Sequence, residues 1–135
     1  MENRIQIYHY DGEGLQISYN NANWVVGVKN YKTASDIHFM DCLERHLLTD
    51  ELFVPVTEGC KIASLATETG AQLNVQQMKI GYIYCVPHGL WHNVIMQRGG
   101  KIILIERPGT GVDNSEFRKL SSAERETLCA LTQNL

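Results

Sequence analysis

The chain has 135 residues, 44% of them apolar and 20% charged, the make-up of an ordinary globule with sequence enough for one domain over 1–135. Lys and Arg number 12 against 15 Asp and Glu, a formal net charge of −3, and no basic run occurs, which excludes a nucleic-acid footprint and makes small polar molecules the expected partners. Cys42, Cys60, Cys85 and Cys129 form no C-x-x-C pair, no apolar run approaches the roughly 20 residues that span a bilayer, and Met1–Arg4 lacks a leader's basic-then-apolar layout. These features predict reduced thiols, a cytoplasmic location and no membrane contact.

From Arg4 to Tyr31 the chain reads as a meander of short strands: Ile5–Tyr8, Leu15–Tyr19 and Trp24–Val28, separated by Asp11-Gly12-Glu13-Gly14 and Asn20-Asn21-Ala22-Asn23. Ile37–His46 predicts the next strand. Its even positions are His38, Met40, Cys42, Glu44 and His46, so Glu44 and His46 project from one face about 7 Å apart along the backbone. That pair can grip a divalent ion or join an edge salt bridge. Its odd positions include Ile37, Phe39 and Leu43, apolar residues that need cover and point to a homodimer.

The strand Leu52–Val56 carries Pro55, which cannot donate to a ladder and so predicts an edge or a bulge there. Cys60–Ala66, Leu73–Met78, Gly81–Val86, Leu90–Met96 and Lys101–Glu106 follow as further strands. Tyr82 and Tyr84 share a face, where they line a pocket or pack a core. Pro87-His88-Gly89 reads as a turn that leaves His88 near a barrel mouth, within reach of a ligand or simply exposed. A period of two then groups Leu90, His92, Val94 and Met96, so one imidazole sits among apolar neighbours and needs a partner. Ser121-Ser122-Ala123-Glu124 offers a capping box for one C-terminal helix over about 121–132, packed outside the barrel. Many short strands at near-even spacing predict a closed or sandwiched all-β body.

Gly81 to His92 has the spacing G-x5-P-x-G-x2-H, which resembles the second signature of the cupin superfamily. The first signature, G-x5-H-x-H-x3,4-E-x6-G, can lie over Glu44, His46 and Glu51, with Glu44 where the first histidine usually stands. No glycine leads in, Gly59 closes the motif one residue late, and Met96 replaces the second motif's usual Asn. The resemblance implies an all-β cupin jelly-roll barrel whose metal ligands are Glu44, His46, Glu51 and His92. Such a mixed N/O set suits Mn, Fe, Ni, Zn or Co.

Leu43-Glu44-Arg45-His46, Phe53-Val54-Pro55-Val56, Gly89-Leu90-Trp91-His92 and Glu106-Arg107-Pro108-Gly109 with Asp113-Asn114 resemble, in order and spacing, the ureidoglycolate lyase branch of the cupins. The chain is shorter than that family's usual length, and Glu51 stands where its members tend to have Gln. The implied activity is elimination of urea from ureidoglycolate to give glyoxylate, with His46, Glu51 and His92 as catalytic candidates and Tyr82, Tyr84 and His88 as pocket candidates. The rival readings are a non-catalytic cupin that senses a sugar or carboxylate, and a sugar or keto-acid isomerase. Arg45 and Arg107 fall on the opposite parity, which favours surface or interface ion pairs; a clamp on a substrate carboxylate from either would need a bulge or loop position.

Overall fold

Among the described residues, short apolar alternations punctuated by Gly, Asn and Pro fold as ten strands and one α-helix. The computed structural model describes residues 4–67 and 70–135, so the leader reading at Met1–Asn3 lies outside the described residues. The strands are β1 Leu15–Asn20, β2 Val25–Asn30, β3 Cys42–His46, β4 Glu51–Pro55, β5 Lys61–Ala66, β6 Gln72–Gln77, β7 Tyr84–Val86, β8 Trp91–Ile95, β9 Lys101–Glu106 and β10 Ser115–Lys119, followed by α1 Ser122–Gln133. They pair antiparallel in two five-stranded sheets, ordered β1-β2-β9-β4-β7 and β10-β3-β8-β5-β6. Each sheet thus interleaves strands from both halves of the chain.

Alternation along each strand sends one set of side chains between the sheets. Phe53, Val86, Ile102 and Leu104 from the first sheet meet Ile62, Val94 and Met96 from the second, forming the barrel core. The outer face of the second sheet is covered separately. Leu43, Leu65, Val75 and Ile95 pack there with Leu128 of α1, and Ile37 and Leu131 join them. Ser121 caps α1 as expected: its hydroxyl accepts from Glu124 N at 3.1 Å, and the Glu124 carboxylate accepts from Ser121 N at 2.9 Å.

Several expectations meet corrections. Ile5–Tyr8 is not a strand: Ile5 is 90% and Ile7 83% exposed, and the neighbouring edge, β1, has a register shift between Ile17 and Tyr19. Strand-prone residues without a regular edge to pair with form no ladder. The strand expected over Ile37–His46 begins only at Cys42, because Asp36 organises a turn before it. Its carboxylate accepts from His38 N at 3.0 Å, and its carbonyl accepts from the amides of Phe39 and Met40. Of the three apolar residues expected to need cover, Ile37 and Leu43 are packed within the chain under α1, whereas Phe39 stays 59% exposed.

The strand predicted from Gly81 starts at Tyr84, since Gly81 takes φ +86° in a turn that Tyr82 N closes onto Lys79 O. β10 was not anticipated, its Ser-Glu-Phe-Arg-Lys sequence being too polar to read as a strand. Pro55 behaves as its chemistry demands: β7 pairs β4 only from Glu51 to Phe53, so Pro55 lies past the last rung on that side. Among the described residues no helix is long and apolar enough to cross a membrane.

Candidate metal centre

The turn before β8 sets the position of one key ring. Pro87 to Leu90 closes with Leu90 N donating to Pro87 O, and Gly89 supplies the φ of +83° that the third position of such a turn requires. Gly89 N also donates to His46 O at 2.7 Å, tying the corner to β3. Two residues on, His92 stands opposite Glu44 in the β3–β8 register and is 1% exposed. Leu90, Val94 and Met96 share the barrel core with Phe53, whose ring lies 6.2 Å from the His92 ring, centroid to centroid.

His46 and His92 approach edge-on, with ring centroids 5.4 Å apart, and both turn Nε2 to Glu51. Each Nε2 stands 3.1 Å from the same oxygen, Glu51 Oε1. The other nitrogens are also engaged: His46 Nδ1 with Ser115 Oγ at 2.8 Å, and His92 Nδ1 with Leu90 O at 2.9 Å. The Leu90 carbonyl can only accept, so His92 Nδ1 carries a proton. Its Nε2 then either donates a second proton to Glu51 or, in the neutral ring, presents a lone pair that a cation would complete.

Two overlapping groups have the spacing of a metal site. One ligand atom each from Glu44, His46 and His92 lie within 4.8 Å of one another, as do one each from His46, Glu51 and Glu106. Metal–ligand bonds of about 2.1 Å cap the ligand-to-ligand distance near about 4.2 Å, so either group closes on an ion by shifts of a few tenths of an ångström. The donors are hard oxygens and imidazoles, and Glu106 Oε2 is buried with no hydrogen-bond partner among the described residues. The residues present fit a divalent ion.

Electrostatics separates the carboxyls. Burial pushes Glu51 up, but hydrogen bonds from His46 and His92 outweigh it and hold the acid well below its usual range. The same Glu51 contact raises the pKa of His46. Glu106 is pushed up to about 8, first by burial and then by the charge of Glu51. A raised carboxyl contributes stability that is fully present below its ordinary value of 4.5 and is lost as pH rises through about 8. In chelator-treated protein, Glu106→Gln is expected to melt close to wild type near pH 5 and increasingly above it toward pH 8. Differential scanning fluorimetry across that range checks this; parallel curves would show that Glu106 is ionised throughout.

The structure brings together Glu44, His46, Glu51 and His92, and adds Glu106, which the motifs did not mark. The signal was present in the sequence: Ile102, Leu104 and Glu106 alternate, so the acid ends an inward-facing apolar row. Tyr82, Tyr84 and His88 make no hydrogen bond or ring contact to this group. Tyr82 and Tyr84 stack on each other at 6.3 Å, and the Tyr84 hydroxyl accepts from Lys79 N. His88 sits in an outer cleft with Trp24 and Arg107, its ring 3.1 Å from Asp50. Arg45 forms the expected surface ion pair, 2.8 Å from Glu116, with its guanidinium 4.5 Å above the Trp91 ring.

No protein-family model matches the chain, nor does the sequence of any curated protein. Solved structures do resemble it. A protein from Planctomyces limnophilus aligns at TM-score 0.56 and 14% identity, over 85% of this chain and 96% of that one. Oxalate decarboxylase from Bacillus subtilis, studied for its Mn(II) centres, aligns at TM-score 0.54 and 14% identity, over 84% of this chain and 30% of that one. A cupin-2 domain protein from Shewanella frigidimarina aligns at TM-score 0.48 and 16% identity, over 73% of this chain and 84% of that one. Ten strands in two facing antiparallel sheets, with one helix after them, give this chain the cupin fold.

Proposed function

We propose that the barrel is a metal-assisted lyase or hydrolase for a small polar substrate, with elimination of urea from ureidoglycolate as the reaction to test first. The observation that supports it is the convergence of two imidazoles and three carboxyls, from both sheets, inside one barrel. Glu44, His46 and His92 would hold the ion, the two rings through Nε2 with Nδ1 kept by Ser115 Oγ and the Leu90 carbonyl, which would release Glu51 from both rings. A bound divalent ion would polarise a substrate oxygen. Manganese is the first to offer, given the Mn(II) centres of the oxalate decarboxylase that shares the fold.

For urea elimination the chain must remove one proton and return another. Among His46, Glu51 and His92, Glu51 is the one left off the ion, and it takes the proton of the substrate hydroxyl as the C–N bond breaks and the carbonyl of glyoxylate forms. Glu106 is the group suited to hand a proton to the departing urea nitrogen, since burial beside Glu51 raises the pKa of that carboxyl.

The experiment is metal content per chain by plasma emission, in tag-free wild type and in His92→Ala, followed by glyoxylate release from ureidoglycolate. Near-stoichiometric metal in the wild type, lost in the variant, is the expected result. No metal after exposure to Mn, Fe, Ni, Zn and Co would overturn the metalloenzyme reading. A non-catalytic cupin that senses a sugar or carboxylate is the second reading, favoured by Glu51 already engaging both imidazoles. Stoichiometric metal without turnover of ureidoglycolate, hydroxy acids or sugars would decide for it.

A further inference from the structure

The metal group makes no use of Lys29. This residue faces Leu15 of β1 and Ile102 of β9 across the ladders, two positions along β2 from Gly27, which faces Leu104. A Cβ on Gly27 would lie 3.1 Å from the Leu104 side chain, so this parity of β2 is the inner one, and Lys29 is a half-buried lysine on the barrel's inner face. An ammonium there is costly unless something pairs with it. Yet among the described residues no hydrogen bond or ion pair reaches the Lys29 ammonium.

Lys29 instead opens on a cavity of about 140 Å³ that it shares with Lys32, Asp41, Glu44, Asn93 and Phe117. At about 30 Å³ per water, that is room for a molecule the size of four or five waters, hence for a small organic acid. Glu44 belongs both to this cavity and to the group it forms with His46 and His92, so the cavity runs directly up to the candidate metal ligands. Lys32 supplies a second ammonium on the same wall and Asn93 an amide. Burial lowers the Lys29 pKa, with Glu44 and Glu51 pushing back, as expected of an ammonium short of a counter-anion.

We propose that Lys29, assisted by Lys32, seats the carboxylate of a small substrate whose other end reaches the Glu44/His46/His92 group. This rests on the reading of the barrel as a small-molecule site, and it narrows the substrate class to short carboxylic acids. It also gives the substrate a direction, with its charged end toward β2 and its reacting end toward β3 and β8.

The test is isothermal titration of the protein, as purified and with Mn(II) added, using glycolate and its uncharged counterpart glycolamide. Wild type is expected to bind glycolate at least tenfold more tightly than glycolamide. Lys29→Met is expected to lose at least tenfold for glycolate, with glycolamide binding and metal per chain unchanged, and Lys29→Arg to recover most of the loss. Equal binding of the two probes, no binding of glycolate, or a Lys29→Met variant that keeps the preference would overturn the proposal. Glycolate binding that survives Lys29→Met but vanishes in His92→Ala would place the carboxylate on the metal ligands and overturn it too. Should Lys29→Met lose the native circular dichroism, Lys29→Gln is read in the same way. A Lys29-dependent preference in protein that takes up no metal would sink the catalytic reading alone and leave this anion seat standing.

Discussion

Glu51→Gln is expected to lower the unfolding free energy by about 3 kcal/mol and the affinity for a divalent ion by at least about tenfold. The carboxylate is 5% exposed, and one of its oxygens serves both His46 Nε2 and His92 Nε2. A neutral amide of the same shape removes the negative charge and leaves two imidazoles without their common partner. The pKa of His46, raised chiefly by this contact, should fall in the variant, which proton NMR of the ring reads directly. Urea denaturation in chelator and a Mn(II) titration check the two magnitudes. A wild-type midpoint together with wild-type metal affinity would mean that neither ring depends on Glu51.

Phe53→Ala is expected to cost about 3–5 kcal/mol, the range for deleting a buried aromatic ring. Phe53 is 1% exposed and packs in the barrel core with Val86, Val94 and Leu104 from three different strands. Its ring also lies against His92, so the cavity left behind would free that imidazole to turn. Stability and metal affinity should therefore fall together. Phe53→Leu refills most of the volume and is expected to recover the larger part of the stability. A Phe53→Ala midpoint shift of under about 1 kcal/mol would show that the core collapses onto the site without it.

Much of this was readable from local pattern. The period of two around His92 placed Leu90, Val94 and Met96 on one face, and the same rule put Glu44 beside His46; both groupings hold. The cap at Ser121 is a contact between residues three apart, so it too was legible. What escaped depends on long-range register. Glu106 and Lys29 acquire meaning only because β9 and β2 are neighbours, although they lie more than seventy residues apart in the chain. β10 is an edge strand whose stability comes from the ladder with β3, where Ser115 pairs with His46 and Phe117 with Glu44. Its own residues announce no burial. The opposite error arose at Ile5–Tyr8, where propensity was high and no regular edge was available.

The candidate centre draws its members from both layers: Glu44, His46 and His92 from one sheet, Glu51 and Glu106 from the other. Antiparallel ladders hold each sheet together laterally, but packing and these side chains are what bind one layer to the other. A ligand spanning them acts as a rivet through the sandwich, resisting the breathing motion in which the layers part. Occupancy would then be felt as slowed amide exchange in β3, β8, β4 and β9 at once, since any opening that separates the layers must also dismantle the rivet.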